Sequence, residues 1–79
     1  MTAATEKEFG LAVAEKLKSL RKSHRYSQFQ VSQYLGISRS TYTYYESGHT
    51  SPSLYTLYRL AHFYATSITA FLPEDTQTK

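Results

Sequence analysis

The side chains of this chain whose types and spacing suggest chemistry are Arg39, Ser40, Thr43 and Tyr44, and the chemistry is recognition rather than catalysis. On a helix advancing roughly 100° per residue they fall within about 140° of one another, while Tyr42 and Tyr45 point to the opposite side. The polar group begins at a helix N-terminus. There a guanidinium and hydroxyls can meet the edges of bases, and unpaired amide ends can meet phosphate. Ser and Thr are also common on the solvated face of an ordinary helical hairpin, so this face alone does not separate the two readings.

The elements that must hold this face are marked by local signals. Ser27-x-x-Gln30 is a capping box, with Tyr26 and Val31 at the flanking staple positions, so a helix is expected to start there. It should end near Leu35, because Gly36 takes a left-handed conformation without the penalty of a Cβ. Ser38 then caps a second short helix, with Ile37 and Tyr42 as its staple pair. Upstream, Phe9, Val13, Leu17 and Leu20 form an apolar stripe, which predicts a first helix from Thr5 or Glu8 to Ser23. Downstream, Gly48 to Pro52 reads as a loop. Ser53 caps a fourth helix carrying Leu54, Leu57, Leu60, Ala61 and Tyr64, and a fifth starts at Ser67 with Ile68, Phe71 and Leu72 before Pro73 ends it. Tyr45, Tyr64, Phe71 and Phe9 are expected in the core. Tyr34, Tyr55, Tyr58 and Phe29 fall outside the stripes and are either ordinary exposed aromatics or a contact surface.

The stretch SQFQVSQYLGISRSTYTYYESGHTSPS resembles the helix-turn-helix of the Cro and phage-repressor type, the Xre family of bacterial regulators. Its carriers are Gln28, apolar Val31, Leu35, Ile37, Tyr42 and Tyr45, Gly36 in the turn, and Glu46-x-Gly48 followed by Pro52-Ser53. The resemblance implies an all-α, compact five-helix bundle of the lambda-repressor-like DNA-binding type. Its expected layout is an N-terminal arm over residues 1–8, the DNA-binding domain over 9–72 and a flexible tail over 73–79. It also implies that Gln28, Arg39, Ser40, Thr43 and Tyr44 face the major groove, with Arg39 the strongest candidate for reading a base. Ser27, Ser47, His49, Ser53 and Leu54 would face phosphates. Arg21 and Glu46 match positions that the family uses as a charge-assisted pair. Ser32 stands where the family usually has Ala, and Tyr42 and Tyr45 stand where aliphatic residues are common. These tyrosines need hydroxyl partners or a route to solvent.

Charge and composition agree with a polyanionic partner. The net charge is +3, but the segment from Lys16 to Arg59 holds seven Lys or Arg against the single acid Glu46. Lys16, Lys18, Arg21, Lys22 and Arg25 crowd the approach to the motif, which suits nucleic acid; some basic residues there also complement the helix dipole. The 79 residues permit one domain. With no cysteine there is no disulfide or thiolate metal site, and His24, His49 and His62 lack ligand spacing, so neither a metal nor another cofactor is expected. The three glycines stand singly, so there is no phosphate-binding loop and an enzyme is not expected. No apolar run approaches the roughly 20 residues of a membrane span, and a cytoplasmic location is the simplest expectation.

The leading expectation is a sequence-specific regulator that occupies an operator on double-stranded DNA. It should act as a homodimer, since one module of this size buries little surface. The fifth helix and exposed fourth-helix aromatics would supply the two-fold contact. An antitoxin or adaptor using the same fold to bind a protein is the alternative, and RNA binding is weaker because no sheet offers a stacking platform.

Overall fold

The computed structural model describes residues 5–73. They form α1 (Glu6–Ser23), α2 (Gln28–Leu35), α3 (Arg39–Ser47), α4 (Leu54–Phe63) and a short 3-10 helix, Ile68–Phe71. Each of these starts at a hydroxyl side chain: Thr5, Ser27, Ser38, Ser53 and Ser67. At α2 the capping box is closed both ways, with Gln30 N donating to Ser27 Oγ at 3.0 Å and Ser27 N donating to Gln30 Oε1 at 2.8 Å. Such caps satisfy helix-end amides and contribute about 1 kcal/mol each.

Two glycines make the corners possible. Gly36, at φ 75°, ends α2 and turns the chain into α3, while Gly48, at φ 79°, ends α3. At Gly48 the left-handed backbone is what requires glycine; a Cβ there would also lie 2.7 Å from Leu11 Cδ2, the end of a flexible, half-exposed side chain that can move aside.

The core joins Val13 and Leu17 of α1, Val31 and Leu35 of α2, Tyr42 of α3, Leu57, Leu60 and Ala61 of α4, then Tyr64 and Phe71. Ser32 is buried and its hydroxyl donates to Phe29 O at 2.8 Å, so this small polar residue carries its own partner into the core. Tyr42 and Tyr64 do not, because both buried hydroxyls lack a hydrogen-bond partner. Burial, and then the nearby Glu46 carboxylate, push both phenols above their ordinary range, Tyr64 up to about 12.

Several expectations change. Among the described residues there are four α-helices, not five: between the Ser67 cap and Pro73 there is room only for i→i+3 bonds, Ala70 N to Ser67 O at 2.9 Å and Leu72 N to Thr69 O at 3.1 Å. Phe9 is 43% exposed rather than core, since it lies one turn before Val13 where α1 runs past the elements that cover it. Phe71 is fully buried within the monomer, so it is not available as a dimer contact. Glu6 and Glu8 belong to the first turn of α1 rather than to an arm. Residues 1–4 of the expected arm and 74–79 of the expected tail lie outside the described residues.

Candidate nucleic-acid interface

The Gly36 corner sets α3 across α2 so that one side of α3 is offered and the other is held. On the offered side, Arg39, Ser40, Thr43 and Tyr44 line one open depression. Arg39 and Ser40 are exposed at the first turn of the helix and Thr43 is half-buried. Tyr44 is half exposed, and its ring stacks on His49 at 4.9 Å between centroids. This stack ties the loop after α3 to the offered face.

The held side is a polar lock. Arg21 Nε donates to Glu46 Oε2 at 2.6 Å and Arg21 Nη2 donates to Glu46 Oε1 at 3.0 Å, a two-pronged contact that fixes both planes. Arg21 Nη1 also donates to Tyr26 O at 2.9 Å, reaching the link between α1 and α2. The Glu46 side chain is 2% exposed and that of Arg21 12%, so the pair sits largely out of water. Burial pushes the Glu46 carboxyl up, but Arg21 first, then the nearby Tyr42 phenol and the Gln28 amide, outweigh it and hold the group below the usual carboxylate range. The same bond to Glu46 raises Arg21 further above its ordinary value.

Gln28 links the lock to the offered face. Its Nε2 donates to Glu46 Oε1 at 3.1 Å, and its Oε1 accepts from Thr43 Oγ1 at 2.9 Å. The structure therefore brings Gln28 to Thr43 and, through Glu46, to Arg21. The remaining sequence-derived residues surround this centre. Ser27 caps α2 immediately before Gln28, and Ser47 donates to Tyr44 O at 3.1 Å from the exposed end of α3. Ser53 and Leu54 lie at the start of α4, away from the depression, with Ser53 Oγ accepting from Thr56 N at 3.1 Å.

Sequence reasoning missed Arg59. Its guanidinium donates to Leu35 O at 3.2 Å and Tyr34 O at 2.9 Å, closing the C-terminus of α2, and lies 4.9 Å from the Tyr34 ring centroid. A lone arginine between Leu57 and Leu60 in an apolar helix was the available signal. Among the described residues no His, Cys, Asp and Glu cluster could hold a metal, and no helix is long and apolar enough to cross a membrane.

Two short helices joined at a glycine corner, the second held behind and polar in front, define a helix-turn-helix module. Residues 17–71 match the family model described as Helix-turn-helix, HTH_3, and the chain belongs to this Cro/C1-type family. The cryptic phage CTXphi transcriptional repressor RstR of Vibrio cholerae is 37% identical over 65 residues, covering 82% of this chain and 58% of the relative. This chain thus spans little more than half the length of that relative. A transcriptional regulator from Listeria innocua matches with a TM-score of 0.75 and 31% identity, over 85% of this chain and 63% of the other. Hydroxypropylphosphonic acid epoxidase from S. wedmorenis matches with a TM-score of 0.78 and 31% identity, over 85% of this chain but 36% of the enzyme.

Proposed function

We propose that this chain is a non-catalytic, sequence-specific DNA-binding regulator of transcription that acts by occupying an operator, with α3 in the major groove. The observation that carries this reading is the two-sidedness of α3: Arg39, Ser40, Thr43 and Tyr44 are presented together while Glu46 on the same helix is tied to α1 and α2. Arg39 reads a base and Ser40, Thr43 and Tyr44 complete the readout; Gln28, expected among the base readers, has both ends of its amide engaged by Glu46 and Thr43 and supports them from behind instead. Ser27, Ser47, His49, Ser53 and Leu54 with their amides position the phosphates. Basic residues of α1 add a sequence-independent attraction. The names of the repressor and regulator relatives support the reading, and the cytoplasm is where it places the protein.

Two copies on a two-fold site suit a module of this size. With Phe71 buried, the exposed aromatic side chains Tyr55 and Tyr58 of α4 are the better candidates for the contact. Titration of labelled mixed-sequence duplex at about 50 mM and 200 mM salt tests DNA binding, and a loss of at least about tenfold is expected if several phosphates are neutralised. Equal, negligible binding at both salts would instead support a protein-binding adaptor.

A further inference from the structure

We infer that Thr43 reads its base pair as a hydrogen-bond acceptor only, because the Arg21–Glu46 pair fixes the direction of the hydrogen bonds that run through Gln28 to the reading face. The inference rests on the DNA-reading function above and names the chemical group on the base that one position recognises.

The polarity follows from which groups carry protons. A guanidinium donates only and an ionised carboxylate accepts only. Glu46 Oε1 already accepts from Arg21 Nη2 at 3.0 Å, and the side chain facing it at 3.1 Å must present hydrogens as well. Gln28 can do so only with its amide nitrogen, which settles an orientation that hydrogen-free amide geometry leaves open. Gln28 Oε1 then faces Thr43 Oγ1 at 2.9 Å. An amide oxygen cannot donate, so the one hydroxyl proton of Thr43 points inward. Toward the depression Thr43 keeps its lone pairs and its methyl group.

In the major groove the exocyclic amino groups of adenine and cytosine donate, whereas N7 and O6 of guanine, N7 of adenine and O4 of thymine accept. A free serine or threonine serves either. Ser40 has that freedom, since its hydroxyl makes no hydrogen bond among the described residues. Thr43 does not, and an acceptor atom placed against it meets lone pairs without a proton between. The position therefore selects an amino group, and a charge pair buried behind the helix sets that choice.

The experiment has two stages on the full chain. Selection from a random duplex pool with the unmodified protein and with Thr43→Val locates the base pair whose preference the valine relaxes; Thr43→Ser should keep it. At that pair, single atoms are then deleted: purine for adenine or pyrimidin-2-one for cytosine removes the amino group, and a 7-deazapurine removes the N7 acceptor. Amino deletion should weaken the unmodified protein about 3- to 10-fold and leave Thr43→Val unaffected, whereas acceptor deletion should affect both proteins alike. Coupling of Thr43 to an acceptor atom, or no pair relaxed by Thr43→Val in a protein whose melting is unchanged, overturns the inference while leaving DNA binding intact. Failure of the unmodified chain to select any site overturns the DNA-reading function itself.

Discussion

Arg21 and Arg59 each tie two elements of the bundle together, Arg21 joining α1 to α3 and Arg59 joining α4 to the end of α2, and they do so with opposite chemistry. Arg21 meets a buried carboxylate, and the charge it neutralises is passed on as hydrogen bonds through Gln28 to Thr43. Arg59 meets backbone carbonyls and the faces of Tyr34 and Tyr55, with the Tyr34 ring stacked on Phe63 at 4.3 Å. The first contact fixes the direction of the hydrogen bonds that reach the offered face of α3. The second closes a helix end and packs. An arginine without an acid can hold a scaffold, but it has no ionised partner through which to dictate donor and acceptor roles elsewhere.

Removing each arginine should separate the two flanks. Arg21→Ala leaves Glu46 buried without its charge partner, a loss of roughly 3–5 kcal/mol, which approaches the whole stability of a small domain. Urea unfolding should show a protein unfolded or nearly so. Arg59→Ala frees helix-end carbonyls that water can take over, so about 1–2 kcal/mol is expected by the same measurement. Similar losses for the two variants would erase the distinction between them.

Acid sharpens the comparison. Glu46 is held below its ordinary value of 4.5 in the folded chain, so its ionised form favours folding. That contribution is complete above about pH 4.5 and fades as pH falls through the lower folded value. Glu46→Gln should flatten this part of a stability-against-pH curve, whereas Arg59→Ala should lower the curve without changing its shape. A Glu46→Gln curve as steep as the parent's would place the acid sensitivity elsewhere.

The smallest effect is expected where the flanks meet. Tyr64 packs on Phe63 and Tyr26 with a buried hydroxyl that has no partner. Tyr64→Phe keeps the ring and removes that polar atom, so thermal stability should be unchanged or higher by about 1 kcal/mol. A clear loss would mean that the hydroxyl is satisfied by water.

Local chemistry made the scaffold legible in the sequence. Ser27 with Gln30, Ser38, Ser53 and the glycines at 36 and 48 each state a helix end within a few residues, and the stripes through Val13 and Leu17 on α1 and Leu57 and Leu60 on α4 state the core. What periodicity cannot state is how far the covering elements extend. Phe9 and Leu54 continue their stripes past the edge of the bundle and are exposed. The resemblance supplied the pairing of Arg21 with Glu46, but the bonds from Gln28 to residues 15 and 18 positions away exist only after α2 and α3 cross. Arg59 stood out as a lone arginine between Leu57 and Leu60, but its partners were hidden, since they are carbonyls of Tyr34 and Leu35 and carry no side-chain signature.

The most direct test of α3 as a reader of DNA is the affinity of Arg39→Ala for the selected site and for random duplex, measured side by side at one salt concentration. Loss of a two-pronged base contact should cost about 1–3 kcal/mol on the selected site, clearly less on random DNA, and relax one base position per half-site. An equal fall on both, with every base preference intact, would make Arg39 a phosphate contact and contradict the assignment of α3 as the reading helix.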